Sequence, residues 1–360
     1  MRVVVIGATG NVGTSVLRTL ALDERIESIV GVARRRPRVA LPRVEWHAAD
    51  VGTDPLIPVV RGADVVVHLA WQIQPQHDEP AMFRTNVIGT NRVLDAVARA
   101  RVPALVYASS VGTYAPGPKE LVDETWPTSG IPSSVYSRHK AMVERSLDAF
   151  ERANPDVRVV RMRTSLVFKR QAASEIVRLF IGPLLPRRLV SPATLRVLPD
   201  IPGLQVQATH ADDIALAYHL AITTPGVRGA FNVAADPVLD AARVAEHLHG
   251  TRVPVPATLA RAAMWASFRA HLQPSEPGWL AMGRETPLMD SGRIRRELGW
   301  VPAHTSLDAL VELLEGVHDR AGGPTAPLEP DKSGPVVPIV SAADAPESER
   351  ERFVESSPVG

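Results

Sequence analysis

The first half of the chain repeats one alternation: a short run of apolar, mostly β-branched residues, then a stretch whose apolar positions recur at helical spacing. The runs predict strands at Val3 to Ile6, Ile29 to Ala33, Val44 to His47, Val65 to Leu69, Leu105 to Ala108 and Val157 to Arg161. Apolar strands separated by helices imply right-handed crossovers and a parallel, doubly wound sheet covered on both faces. From about Thr164 the rhythm loosens. Loops bearing proline interrupt Phe180 to Leu185, Leu195 to Leu198, a helical pattern at Asp212 to Thr223 and a strand-like Ala230 to Val233. Ile294 to Trp300 and Leu307 to Val317 read as closing helices. Beyond Ala321 proline, glycine, serine and glutamate dominate, so burial there does not repay ordering. The pattern divides the chain into an α/β core at 1–163, a smaller lobe with returning core elements at 164–320, and a disordered tail at 321–360.

Composition narrows the reading. A chain of 360 residues buries a sizeable core and is far from a peptide-sized binder. Lysine plus arginine total 40 against 39 for aspartate plus glutamate, and a formal charge of +1 gives no electrostatic argument for nucleic acid or a membrane as partner. With no cysteine there are no disulfides, thiolate metal sites or cysteine nucleophiles. Arg2 precedes an apolar run, but Gly7 and Gly10 break it, and no stretch approaches the roughly 18 apolar residues of a membrane span. A cytoplasmic protein is expected.

The chemistry begins at the first turn. Gly7, Gly10 and Gly13 follow the first strand in G-x-x-G-x-x-G spacing, where the chain must turn sharply into a helix. Glycines there let the backbone approach a pyrophosphate at a helix N-terminus whose free N–H groups attract anions. A second signal lies far along the chain, in YSRHK. Tyr136 and Lys140 stand four residues apart in a helical segment and share a face, so the lysine can place its ammonium under the phenol. A tyrosine with an ordinary pKa of ~10 is a poor base at neutral pH, and a nearby cation draws it down. His77 with Asp78 and Glu79, and His210 with Asp212 and Asp213, lack recognised metal-ligand spacing, and capping explains the acids. No metal is expected, and His68 is read as a core or loop histidine.

These segments stand in an order that resembles the extended short-chain dehydrogenase/reductases, the NAD(P)-dependent epimerases, dehydratases and reductases. GATGNVG opens the chain; HLAW follows at 68–71, NVIGTN at 86–91, YASSVGTYA at 107–115, YSRHK at 136–140, THADDIA at 209–215 and RRELGW at 295–300. The resemblance implies a Rossmann-type sheet with a C-terminal substrate lobe. It implies hydride transfer at a carbonyl or alcohol carbon, with Tyr136 as proton shuttle, Lys140 beside it, Ser110 holding the reacting oxygen and Asn86 steadying the lysine side. For Asn86, a cap on the helix carrying Val87 and Val93 stays open. For the cofactor it implies contacts from Gly7, Thr9, Gly10, Asn11, Val12, Gly13, Asp50, Val51, Leu69, Ala70, Ser109, Tyr136 and Lys140. In NAD-dependent relatives an acidic residue ends the second strand to hold the ribose; here Ala33 stands there, followed by Arg34 and Arg35, which suit a 2′-phosphate. NADP(H) is expected to be preferred, with NAD(H) as the alternative.

Two departures bear on the substrate. Relatives that take sugar nucleotides usually carry an arginine four residues before the histidine of the THADD-like segment, and here that position is Val206. Leu179, Phe180, Ile181, Leu184 and Leu185 make the lobe less polar than a sugar-nucleotide pocket, while Arg178, Arg187 and Arg188 are either anion contacts or surface charges. The expected partners are a small molecule and a second copy in a homodimer, and neither nucleic acid nor membrane. An epimerase or dehydratase with retained cofactor, and a noncatalytic dinucleotide sensor, are the competing classes.

Overall fold

A computed structural model describes residues 1–74, 77–184, 186–331 and 334–337, excluding the side chain of Arg188. The chain begins β1 (Arg2–Ile6), α1 (Asn11–Leu22), β2 (Ser28–Ala33), β3 (Val44–Ala48), α2 (Ile57–Val60), β4 (Val65–His68), α3 (Glu79–Phe83) and α4 (Gly89–Arg99). It continues with β5 (Ala104–Ser110), β6 (Leu121–Val122), α5 (Val135–Ala153), β7 (Arg158–Thr164), β8 (Leu166–Phe168) and α6 (Ala173–Ile176). Then follow β9 (Val197–Asp200), β10 (Ala208–His210), α7 (Ala211–Thr223), β11 (Gly229–Val233), α8 (Ala241–His247) and β12 (Thr251–Pro254). Helix α9 (Ala257–Arg269), α10 (Gly278–Glu285), β13 (Leu288–Met289), α11 (Gly292–Leu298) and α12 (Ser306–His318) complete the order.

Seven strands form one sheet in the order β11-β7-β5-β4-β1-β2-β3, all neighbours parallel. The alternation of side chains along β1 explains why both faces are covered. Val3 and Val5 enter one core with Leu17 and Leu20 of α1, Ile214 and Tyr218 of α7, and Trp300; Val4 and Ile6 enter the other with Val93 and Val97 of α4 and Leu147 of α5. All six strands read from the sequence occur, with ends moved by a few residues. The largest move is at β7, which runs on to Thr164 because its buried Arg161 and Arg163 are paired with Glu144 of α5. The strand-like Ala230 to Val233 is β11, the seventh strand of the same sheet, so α7 and β11 return from the second half to finish the core.

The expectation of disorder from Ala321 fails for the first stretch of that segment. Ala321, Thr325 and Leu328 are buried, Gly322 pairs with Val336, and the Thr325 hydroxyl donates to the carbonyl of Thr9. Asp331 forms ion pairs with Arg178 and Arg187, and its N–H donates to the Ser174 hydroxyl. Low apolar content misled the estimate, because this strap is held chiefly by polar contacts and backbone pairing. Residues 338–360 lie outside the described residues, as do Leu185 and the side chain of Arg188.

Candidate functional site

In a parallel sheet the carboxyl ends of the strands share one edge, and there β1, β4 and β5 deliver the glycine turn, the HLAW segment and the two serines. Gly7 sits at φ +89°, and a Cβ on it would lie 2.5 Å from the N of Ala70. Gly13 is equally constrained, since a Cβ there would meet the carbonyl carbon of Ala8 at 2.7 Å. Gly10 differs: a Cβ would meet only the Gly7 oxygen, at 3.7 Å. Two glycines are thus required by the fold, while the third leaves the mouth of the turn open. Gly10 caps α1 with no side chain bonded to the helix start, so the first-turn N–H groups are available to an anion. These features fit a dinucleotide pyrophosphate.

The other expected cofactor residues divide. Val12, Leu69 and Ala70 are half-buried around the turn. The Asn11 side chain turns away to donate to the Val167 carbonyl at 2.8 Å, leaving its backbone as the part that faces the turn. The Thr9 carbonyl is taken by Thr325. Val51 is buried beneath Gly89, where a Cβ would come within 2.7 Å of its methyl group. Asp50 accepts from the N–H of Gly52 at 2.7 Å. At the end of β2, Ala33 is buried, and Arg34 and Arg35 are exposed with no ion pair among the described residues.

Ser134 caps α5, its side chain accepting from the N–H of Ser137, which sets Tyr136 in the first turn. Tyr136 stands beside Ser110, and burial pushes the phenol up to about 12 against the lowering influence of that serine. The Ser110 oxygen also accepts from the N–H of Gly112 at 3.1 Å, which fixes it at the end of β5. Lys140 does share the helix face, but its ammonium is not under the phenol. It lies 3.6 Å from the ring centre of Trp71 and donates to the carbonyl of Ala108 at 2.5 Å, while the Tyr136 ring centre is 5.9 Å away. Burial pushes Lys140 down to about 7, opposed by Glu144. The expected lowering of the tyrosine by the lysine is therefore absent, because Trp71 and Ala108 hold the cation elsewhere.

Asn86 is fully buried and clasps Gln72 on both sides, its oxygen accepting from the Gln72 N–H at 2.7 Å and its amide donating to the Gln72 carbonyl at 2.8 Å. It does not touch Lys140 but holds Gln72, next to Trp71, and it lies within a π-helical turn at Arg84–Ile88 rather than at a helix cap. Ser109 faces the other way. Its hydroxyl donates to Glu144 at 2.5 Å, so it belongs to the buried network behind the site rather than to the cofactor side. Glu144 is fully buried and also meets Arg161 at 2.8 Å and Arg163 at 3.1 Å. Those guanidiniums hold its carboxyl below the usual range. The network ties α5 to β5 and β7.

Several contributors escaped the sequence reading. Glu144 stands one helical step beyond Lys140, and the spacing 136, 140, 144 was a usable signal. Trp71 closes the HLAW segment but carried no assigned role. Trp279 of α10 arrives from far along the chain with no local signal; its ring centre lies 4.9 Å from that of Tyr136 and 4.8 Å from that of Phe180. Trp71 and Trp279 flank Tyr136, with Phe180 packed against Trp279.

Other charged groups are structural. Lys169 reaches beneath α1 and donates to the Asn11 carbonyl at 2.6 Å and the Thr14 hydroxyl at 2.7 Å; burial pushes it down to about 8. Arg178 and Arg187 anchor the strap through Asp331 rather than facing the site. Val206 forms an antiparallel bridge with Leu239. Among the described residues His210, Asp213 and His304 bring ligand atoms within 4.8 Å of one another. Each is engaged: Asp213 accepts from the N–H groups of Ala303 and His304 and from the His304 ring, and His210 meets Glu312 at 2.9 Å. Among the described residues no helix is long and apolar enough to cross a membrane.

The NAD dependent epimerase/dehydratase family model matches residues 3–234. The chain is 27% identical to an uncharacterized protein of Mycobacterium tuberculosis over 324 residues, 89% of this chain and 31% of that protein, so it spans about a third of that relative's length. It is 27% identical to a UDP-glucose 4-epimerase of Azospirillum brasilense, covering 86% of this chain and 90% of the relative. Among solved structures, a dTDP-glucose 4,6-dehydratase of Streptomyces venezuelae with NAD and TYD bound superposes with a TM-score of 0.66 at 19% identity, over 91% of this chain and all (100%) of the other. A UDP-glucose 4-epimerase of Thermus thermophilus complexed with NAD superposes at 0.64 and 19% identity, over 88% of this chain and 99% of the other. With the family model matched across well over half its length, the chain belongs to the NAD-dependent epimerase/dehydratase family.

Proposed function

We propose that the protein is an NAD(P)-dependent oxidoreductase acting at a carbonyl or alcohol carbon, with Ser110, Tyr136 and Lys140 as its site. The observation that carries this reading is the placement of Tyr136 beside Ser110 and Gly112 at the carboxyl end of β5, on the same sheet edge as the glycine turn. Gly7, Gly10, Gly13 and the start of α1 would hold the pyrophosphate, Asp50 and Val51 the adenine end, and Arg34 and Arg35 a 2′-phosphate, so NADP(H) is the preferred form. When bound, the nicotinamide supplies or accepts a hydride.

With its phenol pushed up to about 12, Tyr136 is protonated at neutral pH and acts as the proton donor to a carbonyl oxygen being reduced. Ser110 receives the Gly112 N–H and keeps its own proton for Tyr136 or the reacting oxygen. Lys140, pushed down to about 7 and held by Trp71 and the Ala108 carbonyl, would act from beside the tyrosine on the bound dinucleotide rather than on the phenol itself. Trp71 and Trp279 crowd the ring of the half-buried Tyr136.

A second reading, epimerisation or dehydration of a sugar nucleotide with retained cofactor, is favoured by the similarity to a UDP-glucose 4-epimerase along most of both chains. Against it stands Val206, which offers no charge to a diphosphate. Purified protein incubated with NADPH or NADH and a panel of ketones, aldehydes and sugar nucleotides tests both. Net oxidation of NADPH by a ketone or aldehyde supports the first reading; conversion of a sugar nucleotide without net cofactor turnover replaces it with the second. Tyr136→Phe is expected to abolish turnover while leaving dinucleotide affinity nearly intact, and near wild-type turnover by this variant refutes the assignment of the proton.

A further inference from the structure

The formal charge of +1 hides an uneven distribution. No aspartate or glutamate occurs between Glu175 and Asp200, nor between Glu246 and Glu276. These two acid-free segments pack together: β9 pairs with β12, the Ser275 hydroxyl donates to the Phe180 carbonyl, and Gly182 abuts Gln273 and Pro274.

Within them α9 is largely exposed. None of its residues is buried. It rests on Ala260, Met264, Ser267 and Phe268, which are half-covered at helical spacing, and turns Leu259, Ala262, Ala263, Trp265 and Ala266 outward. Leu259 is 60% exposed and Trp265 59%; nearby Leu272 is 50% exposed and Leu184 67%. Arg261 and Arg269 flank Trp265 one helical step either side, and neither makes a hydrogen bond or ion pair among the described residues. An outward helix face that carries leucine, alanine and tryptophan, with arginines as its charged groups, is the reverse of an ordinary solvated face.

We propose that this face docks on an anionic lipid surface, with α9 lying flat in the headgroup layer. Its 13 residues span about 20 Å, suited to lying along an interface and too short to cross one. Tryptophan sits at the level of headgroups, and arginine stems reach along the apolar layer while their guanidiniums meet phosphate. A second copy is the poorer occupant. Pairing this face with itself would bury four arginines and offer them no carboxylate from either α9.

The test is flotation of the full chain with vesicles of phosphatidylcholine alone and of phosphatidylcholine with phosphatidylglycerol, at low and high salt. Binding is expected on the anionic vesicles at low salt, reduced by salt, and absent on the neutral ones. Arg261→Gln with Arg269→Gln should weaken it about twenty-five-fold, at about five-fold per arginine. Trp265→Ser should weaken it roughly tenfold, and all variants should keep the wild-type melting temperature because these side chains are exposed. Failure to float with anionic vesicles at low salt overturns the proposal. So does equal flotation with neutral vesicles, insensitivity to the paired arginine substitution, or a dimer in gel filtration that Trp265→Ser dissolves while vesicles capture nothing.

Discussion

Replacing Lys140 with methionine should destroy turnover and yet stabilise the fold at neutral pH. An ammonium ordinarily titrating at 10.5 is held at about 7 by burial. At pH 7 the unfolded chain keeps that proton almost fully and the folded chain only half the time, a difference of about 4 kcal/mol against the native state. Methionine fills similar volume without a charge, but it leaves the Ala108 carbonyl without its donor, which costs about 1–3 kcal/mol. The net gain at pH 7 is about 1–3 kcal/mol. The sign of the pH dependence separates this from ordinary repacking. Between about 7 and 10.5 the unfolded state binds more protons than the folded one at this residue, so the wild type gains stability as pH rises, by up to ~1.4 kcal/mol per pH unit, and Lys140→Met lacks that gain. Lys119 and Lys169, both also pushed down to about 8, contribute equally to both proteins and cancel in the difference. Denaturant unfolding of both proteins at intervals from pH 7 to 10 measures the gap. It should be widest at pH 7 and close, then reverse, towards pH 10. A gap that does not change with pH, or a variant less stable at pH 7, refutes the reasoning.

Ser110→Ala should lower turnover by roughly one to three orders of magnitude through loss of a positioned donor; Ser109→Ala should instead lower the melting temperature, by leaving Glu144 short of a hydrogen bond, and steady-state kinetics beside thermal unfolding distinguish the two. Titration of the wild type with NADPH and NADH should show tighter NADPH binding, reversed in Ala33→Asp and weakened in Arg34→Ala; tighter NADH binding by the wild type defeats the argument from the arginines. Truncation after Gly322 removes buried Thr325 and Leu328, and burying a leucine contributes about 1.5–3 kcal/mol, so the melting temperature should fall by several degrees. An unchanged melting temperature would mean that the strap carries no stability.

What the sequence revealed depended on how local the cause was. Apolar runs such as Val3 to Ile6 and Val65 to Val67 specify strands because burial on both faces leaves few alternatives, and the glycine turn was legible because a chain reversal at Gly7 needs a backbone other residues avoid. Tyr136 and Lys140 were legible as a pair on one helix face, but where the ammonium points was not. That is decided by Trp71, held by the grip of Asn86 on Gln72, and by a carbonyl at the end of a different strand. Trp279 joins Tyr136 across more than a hundred residues, and no local pattern announces such a meeting. The packed start of the C-terminal segment was illegible for the opposite reason: a composition poor in apolar residues resembles disorder unless its polar groups find partners, as Thr325 and Asp331 do.

The bond from Thr325 to Thr9 links residues 316 positions apart and has a consequence for the order of biosynthesis. The glycine turn is made long before that partner, and β1 can pair with β2 and β4 once the strands up to His68 are made. The carbonyl of Thr9 meets its buried partner only once Thr325, 316 positions later, has been made. A chain whose sheet is assembled but whose strap is not yet made, or has been removed, therefore still carries an unfinished glycine turn, so the turn that β1 opens is completed by a contact from the far side of the fold.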